Sequence, residues 1–531
     1  MPKDRKKTAQ IILLVLSVLL LVMVLRLEHA EGTFSSLQIS AASLQSITEA
    51  RKEAEDSLVS AVRFNGEKLF YDRKGNTFYY SLVEDDRRRF DPEVTFESAS
   101  GNVKLRFLES SITEENIREN KTWQMIAYDQ NFYSVSSLKC TTLPLVNIRS
   151  EYELTQYNPT TFTMELFDNR KEAGVRQFES IGTIHIRGAS TAVYPKQGYK
   201  IDLYSSIGKK NSRNVSLLGM RSDQSWMLYA AYNDPDRIRN VFSVGLWTKS
   251  SQYRNSFGIV NGYELKYVEL FLNGEYRGLF ALGYMPDELQ LGIDEAKQEV
   301  GYKNFQWFYY EHPETYEEAF TIMNEFPGFS EYDSFDRWKH LLDYCDVLNS
   351  GMSMEEMLEF VDYDNYIDFC LFLHIMQGVD HAYPGETKNI IATAKKTDHG
   401  YKMLFTPWDL DRTWGMGIYG VVNEVRDNHP FQFGPFGVYP PKEYPQVFDH
   451  LSPRYFELRN TDWSDEAVLA MLEDYEKDIF ASGAYARDVE RWPESDHQTG
   501  DQYDLSEFKD YVIERLHYCD AYFEEGISAD R

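Results

Sequence analysis

Apolar and polar positions change rhythm several times along the chain, and each change predicts a different kind of element. Ile11 to Leu25 form an uncharged apolar run behind the basic flank M-P-K-D-R-K-K. Such a run predicts a signal anchor over residues 1–26, short beside the ~20 residues of a spanning helix but extendable through Thr8 to Gln10. The basic flank places the N-terminus in the cytoplasm and the rest outside. The following R-L-E-H-A-E-G lacks a small-x-small cleavage signal, which favours an uncleaved anchor over the alternative, secretion after cleavage. Residues 27–60 are polar, with Leu37, Leu44, Ile47 and Leu58 loosely spaced in helical fashion, the pattern of a stalk.

Between 61 and 142 the rhythm turns to two, in runs such as N-T-F-Y-Y-S-L-V broken by Asn-Gly and Gly-Asn turns. Alternation with such turns predicts a small all-β domain. Residues 143–531 are mixed: strands at V-R-Q-F-E-S-I-G-T-I-H-I-R and G-Y-K-I-D-L-Y come first, then a hairpin about Asn273-Gly274, then mostly helices. A strand-rich lobe followed by a helix-rich lobe is an α+β arrangement. Asp234-Pro235 reads as an N-cap with proline in the first helical position, opening a helix to about Ser250 that carries Arg239 and Asn240. Apolar stripes at Val468, Leu472, Tyr475 and Ile479, and at Leu505, Phe508, Val512, Leu516 and Cys519, predict two packed helices near the end.

Composition narrows the function. With 84 acidic against 55 basic side chains the formal charge is -29, which repels nucleic acid and leaves that class of partner out. The four cysteines show no C-x-x-C spacing, which removes zinc-ribbon and thioredoxin-type chemistry, and Cys370 and Cys519 fall on apolar helical faces.

The remaining chemistry lies in two stretches. N-Y-I-D-F-C-L-F-L-H-I-M, from Asn365 to Met376, is apolar nearly all round and predicts a buried helix that delivers Asp380 to a fixed point. Asn389 follows, and then F-T-P-W-D-L-D-R-T-W-G sets Asp409 and Asp411 two apart. On extended backbone those carboxylates would share a face, where like charges are costly unless a cation neutralises them. Asp380, Asn389, Asp409 and Asp411 therefore read as an oxygen-ligand site for Mg²⁺ or Mn²⁺, against the plainer reading of Asp409 as a loop cap and Asp411 as a partner of Arg412. The second stretch, I-H-I-R-G-A-S-T-A-V-Y-P-K-Q-G-Y-K-I, gathers Arg187, Gly188, Ser190, Lys196 and Lys200, a set suited to phosphate. Cations for phosphate and carboxylates for a metal are the parts of phosphoryl transfer.

R-G-A-S-T-A-V-Y-P-K-Q-G-Y-K-I, S-W-M-L-Y-A-A-Y-N-D-P-D-R-I-R-N, V-E-L-F-L-N-G-E-Y-R-G-L-F and G-V-D…K-N…P-W-D-L-D-R-T-W-G resemble, in order, the motif blocks of the CotH family of spore-coat protein kinases. The resemblance spans about Leu143 to Gly415 and implies an atypical protein-kinase-like domain acting with ATP and a divalent metal on Ser or Thr of a protein. It implies Asp380 as the catalytic-loop aspartate, Asp409 as the main metal aspartate and Asn389 as a further metal or phosphate ligand. Lys196 or Lys200 would contact the ATP phosphates, with Arg187 and Arg239 building the pocket. The chain departs from the pattern at Tyr284, where an acidic residue is common, at Gly378, and in a longer Asp380 to Asn389 interval. Two other classes fit parts of the sequence: a kinase-like surface scaffold without catalysis, and a glycoside hydrolase using paired carboxylates, which leaves the basic loop unexplained.

Overall fold

A computed structural model describes residues 28–83, 90–98, 100–174, 176–188, 190–206, 208, 211–305, 322–326, 338–381, 388–417, 424–426, 444–493, 495 and 504–528. The expected anchor over 1–26 lies outside the described residues, among which no helix is long and apolar enough to cross a membrane.

The segment expected as a stalk is part of a folded β unit. Glu28–Thr33 pairs antiparallel with Glu93–Ser98 in a four-stranded sheet, and Gln38–Ile39 joins a second sheet beside Lys104–Leu108. Phe34 and Leu37 plug the shared core of the two sheets, Phe34 against Phe107 with ring centroids 4.7 Å apart. The helical spacing seen in the sequence belongs only to Ala41–Glu49, capped by Ser40 and without a fully buried residue. The β unit thus begins at Glu28 rather than 61, and it carries a second short helix, Glu114–Arg118.

Beyond it, seven strands form a ring: β1 (Leu145–Ser150), β2 (Thr160–Phe167), β3 (Gln177–Arg187), β4 (Gly198–Ser206), β5 (Ser225–Tyr229), β6 (Leu265–Leu272) and β7 (Glu275–Tyr284). The order is β3-β2-β1-β6-β7-β5-β4, and β4 pairs back on β3 to close it. Alternation decides what faces inward: Tyr199, Ile201 and Leu203 are buried, while Lys200 and Asp202 between them project to the other face. The β6–β7 turn has Asn273 at φ 54° and Gly274 at φ 78°, the two positive values that an Asn-Gly hairpin turn requires.

Helix α1 (Arg239–Ser250) starts later than expected. Arg237, at φ 59°, interrupts the helical run after Pro235, yet Asp234 still caps the helix from outside, its Oδ2 accepting the Arg239 N–H at 2.7 Å. A second sheet holds β8 (Val300–Phe305), β9 (Ile322–Phe326), β10 (Lys388–Thr397) and β11 (Gly400–Pro407). Between β9 and β10 come α2 (Lys339–Asn349) and α3 (Tyr363–Ile375), the latter buried at every position after Asp364. After β11 follow α4 (Val447–Arg459), α5 (Asp465–Glu476), α6 (Ala484–Arg491) and α7 (Ser506–Ser528). The expected stripes on α5 and α7 are buried, Tyr475 partly, and all four cysteines are buried free thiols. Ring and helices share one continuous core, and in a separate cluster Phe70 and Tyr79 of the β unit pack on Phe271 and Tyr276 of the ring.

Candidate active site

Asp380 follows α3, a helix that is apolar nearly all round. Gln377, at φ 53°, ends the helical run, and three residues later Asp380 reaches the surface of the core half-exposed. Its Oδ2 accepts the Asn389 side-chain N–H at 3.0 Å. Asn389 also lends its backbone carbonyl to the Trp408 N–H at 3.0 Å, and His381 Nε2 sits 2.9 Å from the Trp408 carbonyl. The start of β10 and the end of β11 are thereby tied to the Asp380 turn.

Asp409 and Asp411 do not lie on extended backbone. The strand ends at Pro407 and Asp409 is left-handed, φ 55°, so the alternation argument does not set their directions. They are brought near each other by a turn instead. Asn240 of α1 accepts the Leu410 N–H at 3.1 Å, and Asn233 donates to Asp411 Oδ2 at 2.9 Å. Asp409 is half-exposed while Asp411 is buried. Burial, then the charge of Asp409 and, more weakly, Asp380, push the Asp411 carboxyl up to about 7, and Arg412 and Asn233 offset only part of this. Asp411 therefore lies in the field of two neighbouring carboxylates that Arg412 offsets only in part.

Above this turn stands the outer face of the ring. Arg187, at the end of β3, places its guanidinium 5.5 Å from the Trp408 ring centroid and lies on the same face as Lys200 of β4. Beside them, burial and then Lys200 hold the His185 imidazole below its usual range. Next to Arg187, Gly188 at φ 108° could not carry a side chain, because a Cβ would meet Thr191 Oγ1 at 2.1 Å. Tyr263 joins the two halves. Its ring lies 5.0 Å from Trp408, and its hydroxyl is held high by burial and then by Asp409, with Arg187 opposing.

One expected phosphate contact and one expected pocket residue are engaged in buried ion pairs. Lys196 is fully buried, its ammonium 2.7 Å from Asp488 Oδ1, 2.6 Å from the Leu279 carbonyl and over the Phe280 ring. Phe280 stacks on Tyr199, on the face opposite Lys200, so Lys196 belongs to the inner side of the ring. Arg239 is likewise spent, bonding Asp234 at 2.6 Å and Asp236 at 2.5 Å and covering Phe508. It helps build the site only by bracing the start of α1. Tyr284, the residue at the acidic position of the family pattern, is buried with Arg221 over its ring.

Sequence reasoning gave no role to Asn240 and did not single out Asn233, Tyr263 or Tyr229. The Tyr229 hydroxyl is buried without a hydrogen-bond partner among the described residues, and burial followed by Asp411, Asp234 and Asp409 holds it far above the usual phenol range. Asn233 and Asn240 flank the Asp234 motif, which was the available signal; Tyr229 and Tyr263 carried none.

Among the described residues no three His, Cys, Asp or Glu side chains converge as a metal cage. What is present is two aspartates and an amide with surplus negative charge, a donor set that suits a hard divalent cation completing its shell from water and phosphate oxygens.

The fold and site define a mixed α+β protein whose carboxylate turn lies beneath the cationic outer face of a β ring. The family model for CotH kinase protein matches residues 184–519, more than half of the chain and all of this site. The chain belongs to that family. No curated protein matches. The match starts later than the sequence resemblance, within β3, and extends beyond Gly415 to α7, leaving the β unit outside it.

Proposed function

We propose that the protein is a protein Ser/Thr kinase that uses ATP with Mg²⁺ or Mn²⁺, held to the membrane by residues 1–26 with its folded part outside the cytoplasm. The observation that carries this reading is the carboxylate cluster, Asp409 and Asp380 near buried Asp411, with Arg187 over the adjoining Trp408. Asp409 and Asp411, with Asn389, would hold the cation, which supplies neutralisation of the ATP β- and γ-phosphates.

The chain's own residues account for the rest. Asp380, fixed by Asn389, orients the acceptor hydroxyl and takes its proton as the oxygen attacks the γ-phosphorus and the bond to the β–γ bridging oxygen breaks, releasing ADP. Arg187 and Lys200 receive phosphate oxygens from the outer face of the ring, and Trp408 and Tyr263 wall the cleft against water.

The test is transfer of labelled γ-phosphate from ATP to a Ser/Thr-containing protein by the full chain, with Asp380→Ala and Asp409→Ala as controls. Transfer by the wild type that both variants lose by about a hundredfold or more supports the assignment. A second reading, a kinase-like surface scaffold, is favoured by Lys196 and Arg239 being committed to buried ion pairs. A folded wild type that binds no ATP at millimolar metal overturns the kinase assignment and leaves this reading standing.

A further inference from the structure

A cavity of about 570 Å³ lies behind Tyr263, on the side away from the carboxylate turn. Its floor is apolar, from Val241 and Val244 of α1 and Leu265 of β6, and the rings of Tyr263, Tyr267 and Tyr475 wall it. On one side α5 passes into a single π turn, Lys477–Ala481, a local irregularity that recurs at functional sites.

The polar groups around it are unequally engaged. The cations have partners: Lys477 pairs with Asp474 at 2.9 Å, Lys266 donates to the Leu218 carbonyl at 3.0 Å, and Arg170 grips Asp168. Lys249 stands exposed at the outer rim. The acceptors are freer. Glu264 uses only Oε2, for the Tyr284 hydroxyl at 3.3 Å, and Oε1 has no hydrogen-bond partner among the described residues. The Tyr475 hydroxyl, also without one among them, lies over Gly245, where a Cβ would stand 2.3 Å from it. Only glycine on α1 leaves room for it.

An aromatic hollow that offers free acceptors, and whose cations other than Lys249 are engaged, is complementary to an organic cation. An ammonium brings three N–H donors, and tyrosine faces attract its charge. The geometry points to a second ligand site here, for a primary ammonium on an aromatic or apolar stem. The field agrees in sign: burial, and then Asp478, Asp474 and Glu264, hold the Tyr475 hydroxyl above its usual range. The site does not depend on the phosphoryl-transfer reading, because neither Asp409 nor Arg187 lines it.

The test is calorimetric titration of the full chain with phenethylamine, and with 2-phenylethanol and phenylacetate as neutral and anionic counterparts. Phenethylamine is expected to bind about tenfold or more tightly than either counterpart, and to weaken about tenfold in Glu264→Gln and measurably in Tyr475→Phe. Both variants keep the shape of the wall, and melting curves matching the wild type confirm that they fold. Asp409→Ala, whose side chain does not line the cavity, should bind phenethylamine like the wild type. Equal binding of the alcohol, indifference to both wall variants, dependence on Asp409, or no heat at about 10 mM phenethylamine each overturns the assignment.

Discussion

The buried carboxylate of Asp488 holds two cations at once, and removing it should expose how the molecule is locked together. Its Oδ1 takes the Lys196 ammonium at 2.7 Å and the Leu279 N–H at 3.0 Å, and its Oδ2 takes Arg237 Nε at 2.9 Å. None of the three side chains is more than 1% exposed. In Asp488→Ala both cations lose their counter-charge in a place water does not reach, at a cost of about 3–5 kcal/mol for breaking such a pair. The orphaned Leu279 N–H adds about 1–3 kcal/mol. Lys196→Met alone should cost less, since it leaves a neutral Asp488–Arg237 pair and a side chain of similar length. Added to Asp488→Ala, it should restore about 2 kcal/mol by removing one of two unpaired charges. Urea unfolding followed by far-UV circular dichroism measures all four corners of the cycle. If Asp488→Ala falls within 1 kcal/mol of the wild type, or Lys196→Met makes it worse, the buried-triad account is refuted. Were Lys196→Met to fold like the wild type and lose ATP binding, the lysine would be a phosphate ligand as the sequence suggested.

Three further outcomes follow from the same geometry. Burial lowers the Lys196 ammonium to about 8, whereas the unfolded chain keeps this proton to about 10.5, so between those values the unfolded state binds more protons and stability rises with pH. Below 8 both states are charged and the burial cost stands in full; the gap between wild type and Lys196→Met in urea unfolding should shift by about 3 kcal/mol in favour of wild type from pH 8 to 10.5, and a flat gap sinks the idea. Arg187→Ala, at a half-buried position, should weaken ATP binding about tenfold with little change in melting temperature; the reverse pattern would make Arg187 structural. Arg487 grips Glu269 at 2.6 and 2.9 Å and also reaches Asn120 of the β unit, so Arg487→Met should cost about 3–5 kcal/mol and speed proteolysis of residues 28–141. Unchanged cleavage would show that the β unit stands on its own.

What the sequence revealed and what it hid divide along one physical line, the distance over which the determining interaction acts. The Asn273-Gly274 turn and the α3 helix were legible because their causes are local, a positive-φ pair in one case and an unbroken apolar face in the other. The places of Asp380 after α3 and of Asp409 after β11 were legible because those elements could be read. Their backbone was not: Asp409 is left-handed because Leu410 is held by Asn240, a contact across 170 residues. The closure of the ring by β3 and β4, and the capture of Lys196 by Asp488, are likewise tertiary events that no window of sequence contains. A lysine beside a phosphate-like loop looks the same whether its partner is ATP or an aspartate delivered by α6. In this structure the Lys196 ammonium meets Asp488 on the inner side of the ring, while Arg187 and Lys200 share its outer face. The cationic half of the candidate site is therefore smaller than the motif, and its chemistry rests more heavily on Arg187 than the sequence alone implied.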